Sequence, residues 1–172
     1  MPINASNLKW FYSGGAGNSD PLLSIGGVMS SVTLSATTLH NLFDRVTGDE
    51  SEAGVTRYRL LYFKNVDSDA DGLMSPVVLY FASLPVNGDT IKAGLSAQGK
   101  GVVTTAVANE HTAPAGVTFT APVSRAASTI ILPSPPYLQN EYIGVWFQHI
   151  VPALQSASSG NSVSWVLVGD TV

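Results

Sequence analysis

The chain has no cysteine among its 172 residues. This absence excludes a disulfide scaffold, a cysteine-ligated zinc site and a thiol nucleophile. A cysteine-free chain also suits folding in a reducing cytosol. The fold must therefore depend on its apolar core, and 172 residues are enough to remove roughly 70% of the extended-chain surface from water.

Charged residues are scarce, at 12% of the chain, and the basic ones are outnumbered, with 8 Lys and Arg against 12 Asp and Glu. Nucleic-acid-binding proteins normally present a basic face, so the net charge of −4 argues against nucleic acid as a partner. Apolar residues make up 45% of the chain, which excludes a disordered composition. Much of the surface must consist of small uncharged residues, and such a surface suits lasting contact with other protein.

Long apolar runs are missing as well. No stretch approaches the roughly 20 apolar residues that cross a bilayer as a helix. Residues 1–6 (MPINAS) have neither the basic region nor the apolar region of a signal peptide. The sequence therefore predicts neither membrane insertion nor secretion.

What the chain does have is period-two alternation of β-branched and aromatic residues, interrupted by Gly, Pro, Asn and Asp. This pattern predicts an all-β fold, an antiparallel β-sandwich of jelly-roll or immunoglobulin type with about 8–10 strands and little helix. The one helical candidate is a turn or two at residues 37–43, where the Thr-rich composition favours an extended conformation equally. Strands are predicted near residues 8–13, 29–38, 55–66, 75–84, 89–96, 101–108, 116–124, 128–133, 141–152 and 162–169.

The length fits a single domain over residues 1–172. Residues 1–30 are predicted to form an extended arm together with the first strand. The Pro-rich segment at 133–136 (PSPP) is a stiff connector in this interpretation and does not mark a domain boundary.

The opening block carries the most distinctive motif. Residues 8–15 (LKWFYSGG) place three aromatic side chains beside a Gly-Gly pair, and residues 18–21 (NSDP) and 24–27 (SIGG) follow. With the later segments 42–44, 48–52, 57–65, 108–110, 112–119, 145–147 and 150–153, the chain resembles a family of small structural proteins of tailed-bacteriophage virions over most of its length.

This resemblance implies a virion component that is made in the host bacterial cytoplasm. The function it implies first is that of a capsid decoration or cement protein, which binds and stabilises the assembled head. Its partners would be the major capsid protein and further copies of itself, as a dimer or trimer, without nucleic acid, membrane or small-molecule substrate. The alternative is a tail, baseplate or fibre component that acts as a carbohydrate-binding or host-binding β-sandwich module.

The aromatic side chains of Trp10, Phe11 and Tyr12 are the predicted contact residues. Trp and Tyr are enriched where protein interfaces hold most of their binding energy. The acidic segment at residues 49–52 (DESE) is predicted to be a solvated loop tip, with docking to basic residues of a shell protein as its functional alternative.

Asp67, Asp69 and Asp71 stand at alternate positions before a glycine, as in a calcium-binding loop. A loop of the EF-hand type needs a bidentate Glu at its twelfth position, where this chain has Val78. A plain acidic hairpin loop is therefore favoured over a calcium site, and no other cofactor is predicted.

No set of residues predicts catalysis. The three histidines, at positions 40, 111 and 149, have no metal-ligand spacing, and no Gly-x-Ser-x-Gly turn supplies a nucleophile. The glycines at 14, 15 and 17 lack the spacing of a dinucleotide-binding loop. The sequence thus predicts a binding or structural protein and not an enzyme.

Overall fold

A computed structural model describes residues 5–68, 74–133, 138–156 and 162–171. Within these residues the chain forms seven strands, one short α-helix and two 3-10 turns, at Ala5–Asn7 and Pro21–Leu23. The strands are β1 (Leu8–Tyr12), β2 (Val55–Asn65), β3 (Met74–Ser83), β4 (Thr90–Leu95), β5 (Ile130–Leu132), β6 (Tyr142–Val151) and β7 (Ser164–Thr171). The helix, α1, spans Gly48–Ala53.

The strands form two antiparallel sheets. The larger sheet has the order β1-β2-β6-β4, and the smaller one has the order β5-β3-β7. The centre of the larger sheet is the long ladder between β2 and β6, which runs from the Val55–Val151 pair to the Lys64–Tyr142 pair. The prediction of an all-β antiparallel sandwich with little helix is confirmed.

The main core lies between the two sheets. Alternate residues of β2 and β6, such as Leu61, Phe63 and Val145, point from the larger sheet toward Leu79 and Phe81 of the smaller one. All five side chains are almost completely buried. The two sheets are therefore held together by apolar burial, the dominant stabilising term in a protein of this kind.

The other face of the larger sheet is buried too. Tyr58, Leu60, Tyr62 and Trp146 form a second core there, under residues 13–31 and 97–119, which we call the loop layer. The side chains that the loop layer packs on this core include Met29, Val107, Val117 and Phe119. The molecule thus has three layers: the loop layer, the larger sheet and the smaller sheet.

Three predicted strands are wrong. Residues 29–38, 101–108 and 116–124 are irregular segments, each with a single isolated bridge: Phe11–Thr33, Gly27–Thr104 and Ala93–Thr120. Side chains in these segments can still alternate between inward and outward positions. In residues 116–124, for example, Val117 and Phe119 pack on the second core. A segment lying on a sheet face shows the same alternation as a paired strand, so the pattern could not separate the two.

The helical prediction is displaced along the chain. Residues 37–43 form turns and bends, whereas the acidic segment at 49–52, which was predicted to be a loop tip, lies within α1. Thr47 accepts a hydrogen bond from the Glu50 N–H, and the Glu50 carboxylate accepts one from the Thr47 N–H at 2.8 Å. This reciprocal capping box satisfies two of the unpaired donors at the start of the helix.

The described part of residues 1–30 belongs to the body of the molecule. β1 pairs with β2 along its whole length, from Leu8–Asn65 to Tyr12–Leu61, and the residues after it enter the loop layer. No helix within the described ranges is long and apolar enough to span a membrane.

Candidate protein-binding surfaces

Strand β7 is an open sheet edge. It pairs with β3 on one side only. Among the described residues, no backbone hydrogen bond from any other segment reaches Ser164–Thr171. The N–H and C=O groups of every second residue along this edge therefore point away from the sheet, where another strand could pair with them.

The other three sheet edges carry features that block strand addition. Residues 30–34 cover β1, since the Tyr12 N–H donates to Val32 O at 3.1 Å and the Leu34 N–H donates to Trp10 O at 2.8 Å. The β4 edge exchanges two hydrogen bonds of 2.9 Å between Ala93 and Thr120, and β5 has only three residues. β7 is the exposed edge that lacks such protection.

The sequence of β7 also lacks the residues that normally protect an edge. Its eight residues include no Lys, Arg or Pro, and Asp170 is its one charged residue. Asp170 is held by Arg125, whose Nη1 donates to Asp170 Oδ1 at 3.0 Å. This hydrogen bond and the guanidinium charge lower the pKa of Asp170 below its ordinary value.

The outer face of the smaller sheet is apolar. Alternation along the strands brings Val78, Tyr80, Val166 and Val168 to this face, and Ile131 of β5 is 53% exposed there. On the inner face, Trp165 and Leu167 pack against the main core and are partly exposed. The edge and the face together form one charge-poor surface, which we call the β7 surface.

A second exposed apolar group lies on the opposite side of the molecule, in the loop layer. The Gly27 N–H donates to Thr104 O at 2.8 Å, and this antiparallel bridge places Val28 opposite Val103, with Val102 next along the chain. These valines are about half exposed, with 46% for Val103. We call the three the valine patch.

The predicted contact residues at the opening strand are used inside the molecule. Trp10 packs in an aromatic cluster, with ring centroids 5.5 Å from Phe63 and 6.0 Å from Trp165. Phe11 packs against the second core. Tyr12 is buried and donates its hydroxyl hydrogen to Asn41 O at 2.8 Å, and burial raises its pKa. Their aromatic character thus contributes to both cores.

The proposed calcium ligands Asp69 and Asp71 lie outside the described residues. Asp67 is described, and it is 8% exposed, with its N–H donating to Asn65 Oδ1 at 3.0 Å. Within the described ranges, no group of three or more His, Asp or Glu side chains lies close enough to hold a metal ion.

A buried charge cluster occupies one end of the main core. Arg57 and Arg59 of β2 are 0% exposed. Arg57 pairs with Asp44 and lies 3.7 Å from Glu50, and Arg59 pairs with Glu110. Of the acidic segment at residues 49–52, Glu50 therefore faces its own chain, whereas Asp49 and Glu52 are exposed.

The electrostatics of Glu50 follow from these contacts. Partial burial raises the pKa of its carboxyl, but the Thr47 hydrogen bonds and the Arg57 charge outweigh that effect and leave the pKa below its ordinary value. Glu50 thus stays ionised beside Arg57. The sequence carried one signal for this cluster: two Arg at alternate positions of an apolar strand, next to an acidic segment.

His149 lies in the same cluster. It is 7% exposed, and its Nε2 is 3.2 Å from Asp89 Oδ2. Burial is the largest effect and lowers the pKa of His149, although the Asp89 hydrogen bond opposes it. His149 is thus a buried histidine whose ring contacts one carboxylate.

A shallow groove of about 320 Å³ lies between β4 and the segment before β5. Small side chains line it, including Ser96, Thr118 and Thr120, and no titratable group is among them. The groove therefore offers no acid, base or metal ligand.

Comparisons of the chain with protein-family models, with curated proteins and with solved structures found no match.

Proposed function

We propose that the chain is a structural protein of a tailed-phage virion, where it decorates the head and stabilises the assembled shell. The observation that supports this function is the pair of charge-poor apolar surfaces, the β7 surface and the valine patch, on opposite sides of one β-sandwich. A decoration protein has to contact the shell and its own neighbours. Two separate surfaces meet that need.

The stabilising mechanism is mass action. A protein that binds the assembled shell, and not its dissociated subunits, shifts the equilibrium toward the shell. Each contact can be weak, because many copies bind one lattice and their contacts act together. A β-sandwich with two buried faces on its larger sheet provides a rigid body for such contacts.

The valine patch is the proposed shell-facing surface. It lies in the loop layer, where Gly14 and Gly26 with positive φ allow close packing of the backbone. A Cβ at Gly26 would lie 2.7 Å from the Thr105 carbonyl oxygen, so the two loops hold each other in place. A preorganised patch loses little conformational entropy on binding.

The alternative function, a carbohydrate-binding tail or fibre module, has less support. Sugar-binding surfaces present exposed aromatic side chains, whereas every Trp, Tyr and Phe in the described ranges is buried or only partly exposed. Tyr137, a candidate for such a platform, lies outside those ranges. A tail or baseplate contact through the same apolar surfaces remains the competing structural role.

The test is co-sedimentation of the purified chain with heads that have been stripped of it, from a phage that encodes it. We expect saturable binding and a higher temperature of head disruption. Val103→Lys should weaken binding by about tenfold or more, since burying an unpaired charge costs over 1.4 kcal/mol. Val86→Lys is the matched control, because Val86 is 92% exposed in the β3–β4 loop, outside the loop layer.

If Val103→Lys leaves binding unchanged, the valine patch is not the surface that contacts the shell. Absence of binding at every head concentration would contradict the decoration function.

A further inference from the structure

The open edge of β7 has the length and the backbone groups to hold a second strand. Eight residues extend over roughly 26 Å, which exceeds the length of an average strand. Neither a charged residue nor a proline interrupts the stretch from Trp165 to Gly169. An edge of this kind is a template for strand addition.

The edge is complementary to itself. A two-fold axis perpendicular to a sheet edge makes two copies of the same strand antiparallel, so that the interface is isologous. With the axis at Leu167, Val166 of one copy lies opposite Val168 of the second copy, and Trp165 lies opposite Gly169. Paired valines and an aromatic ring beside a glycine are both favourable cross-strand arrangements.

Charge does not oppose this pairing. Asp170 is the one charged residue of β7, and in the same register it faces Ser164 of the second copy. Its carboxylate is already held by Arg125. Because no carboxylate meets another, the electrostatic penalty that normally separates identical edges is missing. The one charge of β7 is already paired with Arg125. Charge therefore does not favour an acidic or a basic peptide over a second copy as the partner of this edge.

Pairing would also complete the burial of the β7 surface. Trp165 and Leu167 pack against the main core and are partly exposed, and Val166 and Val168 are partly exposed on the outer face. A second copy would cover these side chains from the edge. The same side chains that form the boundary of the core thus form the proposed interface.

From these observations we propose that two copies of the chain pair through antiparallel β7 strands and join their smaller sheets into one continuous six-stranded sheet. The inference deepens the proposed function, on which it rests for its setting in the virion, by naming a second copy of the chain as the partner of the β7 surface. The valine patches of both copies then remain available to the shell.

The first test is sedimentation equilibrium of the purified chain at about 1 to 100 µM, a range that covers weak and moderate dimers. We expect a monomer–dimer equilibrium. Val166→Lys should weaken it by about tenfold or more, because an edge lysine opposes strand addition. Ile131→Lys is the matched control: it adds the same charge to the same outer face at the opposite edge of the sheet.

The second test locates the two-fold axis and uses the absence of cysteine from the chain. Single Cys variants are made on the outer face at 164, 166, 168 and 170, with Ile131→Cys as the control. Oxidative cross-linking between identical positions should be greatest at 166 and 168, the two positions beside Leu167, and lower at 164 and 170. Circular dichroism verifies that each variant is folded.

A wild-type chain that stays monomeric over this range, or a dimer that Val166→Lys does not weaken, would overturn the pairing. Cross-linking that is equal at all positions, including 131, would overturn it too. These outcomes are separate from the proposed function, because the measurements need no phage particle. A monomer that still binds heads contradicts only the pairing, and a dimer that binds no heads contradicts only the head-decoration function.

Discussion

Two positive charges are buried at one end of the main core, where Arg57 and Arg59 replace the apolar residues of the β2 pattern. Removing a guanidinium group from water is costly unless a carboxylate and hydrogen bonds compensate for it. Arg59 has Glu110, the Tyr58 carbonyl at 3.0 Å and the Phe43 ring at 5.6 Å as its partners. These contacts anchor the 107–111 segment and the residues before α1 to the same strand.

Glu110→Gln should destabilise the protein by about 2–3 kcal/mol, because it leaves the Arg59 charge buried without its carboxylate. The value lies at or below the lower end for buried pairs because Glu110 is 30% exposed and water partly screens it. Urea unfolding at pH 7 measures the change. Glu52→Gln, at an exposed position of α1, is the matched control and should change the free energy of unfolding by less than about 0.5 kcal/mol.

His149 predicts how stability depends on pH. Its folded-state pKa is lowered by burial, so the unfolded chain binds the proton more readily. The free energy of unfolding should therefore be constant above about pH 7 and fall as the pH drops below the unfolded value near 6.5. Unfolding titrations from pH 7.5 to 5.0 measure the slope.

His149→Gln should remove the part of that slope due to this residue, whereas His40→Gln and His111→Gln, at exposed positions, should leave it intact. The lowered pKa values of Glu50 and Asp170 place the stability effects of these two carboxyls below about pH 5. A wild-type slope that survives in the His149 variant would contradict the assignment.

At the scale of elements, alternation located the strands that make ladders. The predicted ranges 55–66, 75–84 and 141–152 differ by a residue or so at each end from β2, β3 and β6. It failed where a segment lies on a sheet face without pairing, as at residues 116–124, because inward and outward side chains alternate there too. The helix α1 was missed although its Thr47–Glu50 capping signature is visible in the sequence.

The contact between the larger sheet and the loop layer depends on glycines within strands. A Cβ at Gly94 of β4 would lie 2.5 Å from the Thr118 carbonyl oxygen, which is backbone and cannot rotate away. Gly94→Ala should therefore destabilise the protein by about 1–3 kcal/mol, as overpacking does. The midpoint of urea unfolding measures this cost.

Gly17→Ala is the matched control, since a Cβ there would have no atom within 4 Å and the backbone has ordinary φ. It should leave stability within about 0.5 kcal/mol of the wild type. A Gly94 variant as stable as the Gly17 variant would show that the loop layer is not held against β4 at this point.

At the scale of the whole molecule, the open edge of β7 could not be predicted from the sequence. Alternation indicated a strand at residues 162–169, but whether a strand is central or at an edge depends on the strand order, which is non-local. The same limit explains Trp10. Its aromatic character predicted a contact residue, and only the juxtaposition of β1 with β7 shows that it contacts Trp165.

The scarcity of charge predicts how binding to heads should respond to salt. Both apolar surfaces contain few ionisable groups, so screening of charges has little to act on. The affinity for heads should change by less than about threefold between 50 and 500 mM NaCl, in contrast to the steep loss seen for charge-driven binding. Co-sedimentation at several salt concentrations measures it. A loss of tenfold or more would contradict this prediction and indicate an ionic contact with the head.

The most direct test of the head-decoration function is the copy number of the chain in gradient-purified virions, measured by quantitative mass spectrometry against the major shell subunit. Lattice decoration predicts about one copy per shell subunit or a simple fraction of it set by the symmetry. A ratio of a few per cent would contradict decoration and place the chain in the tail, and its absence from virions would contradict the structural role itself.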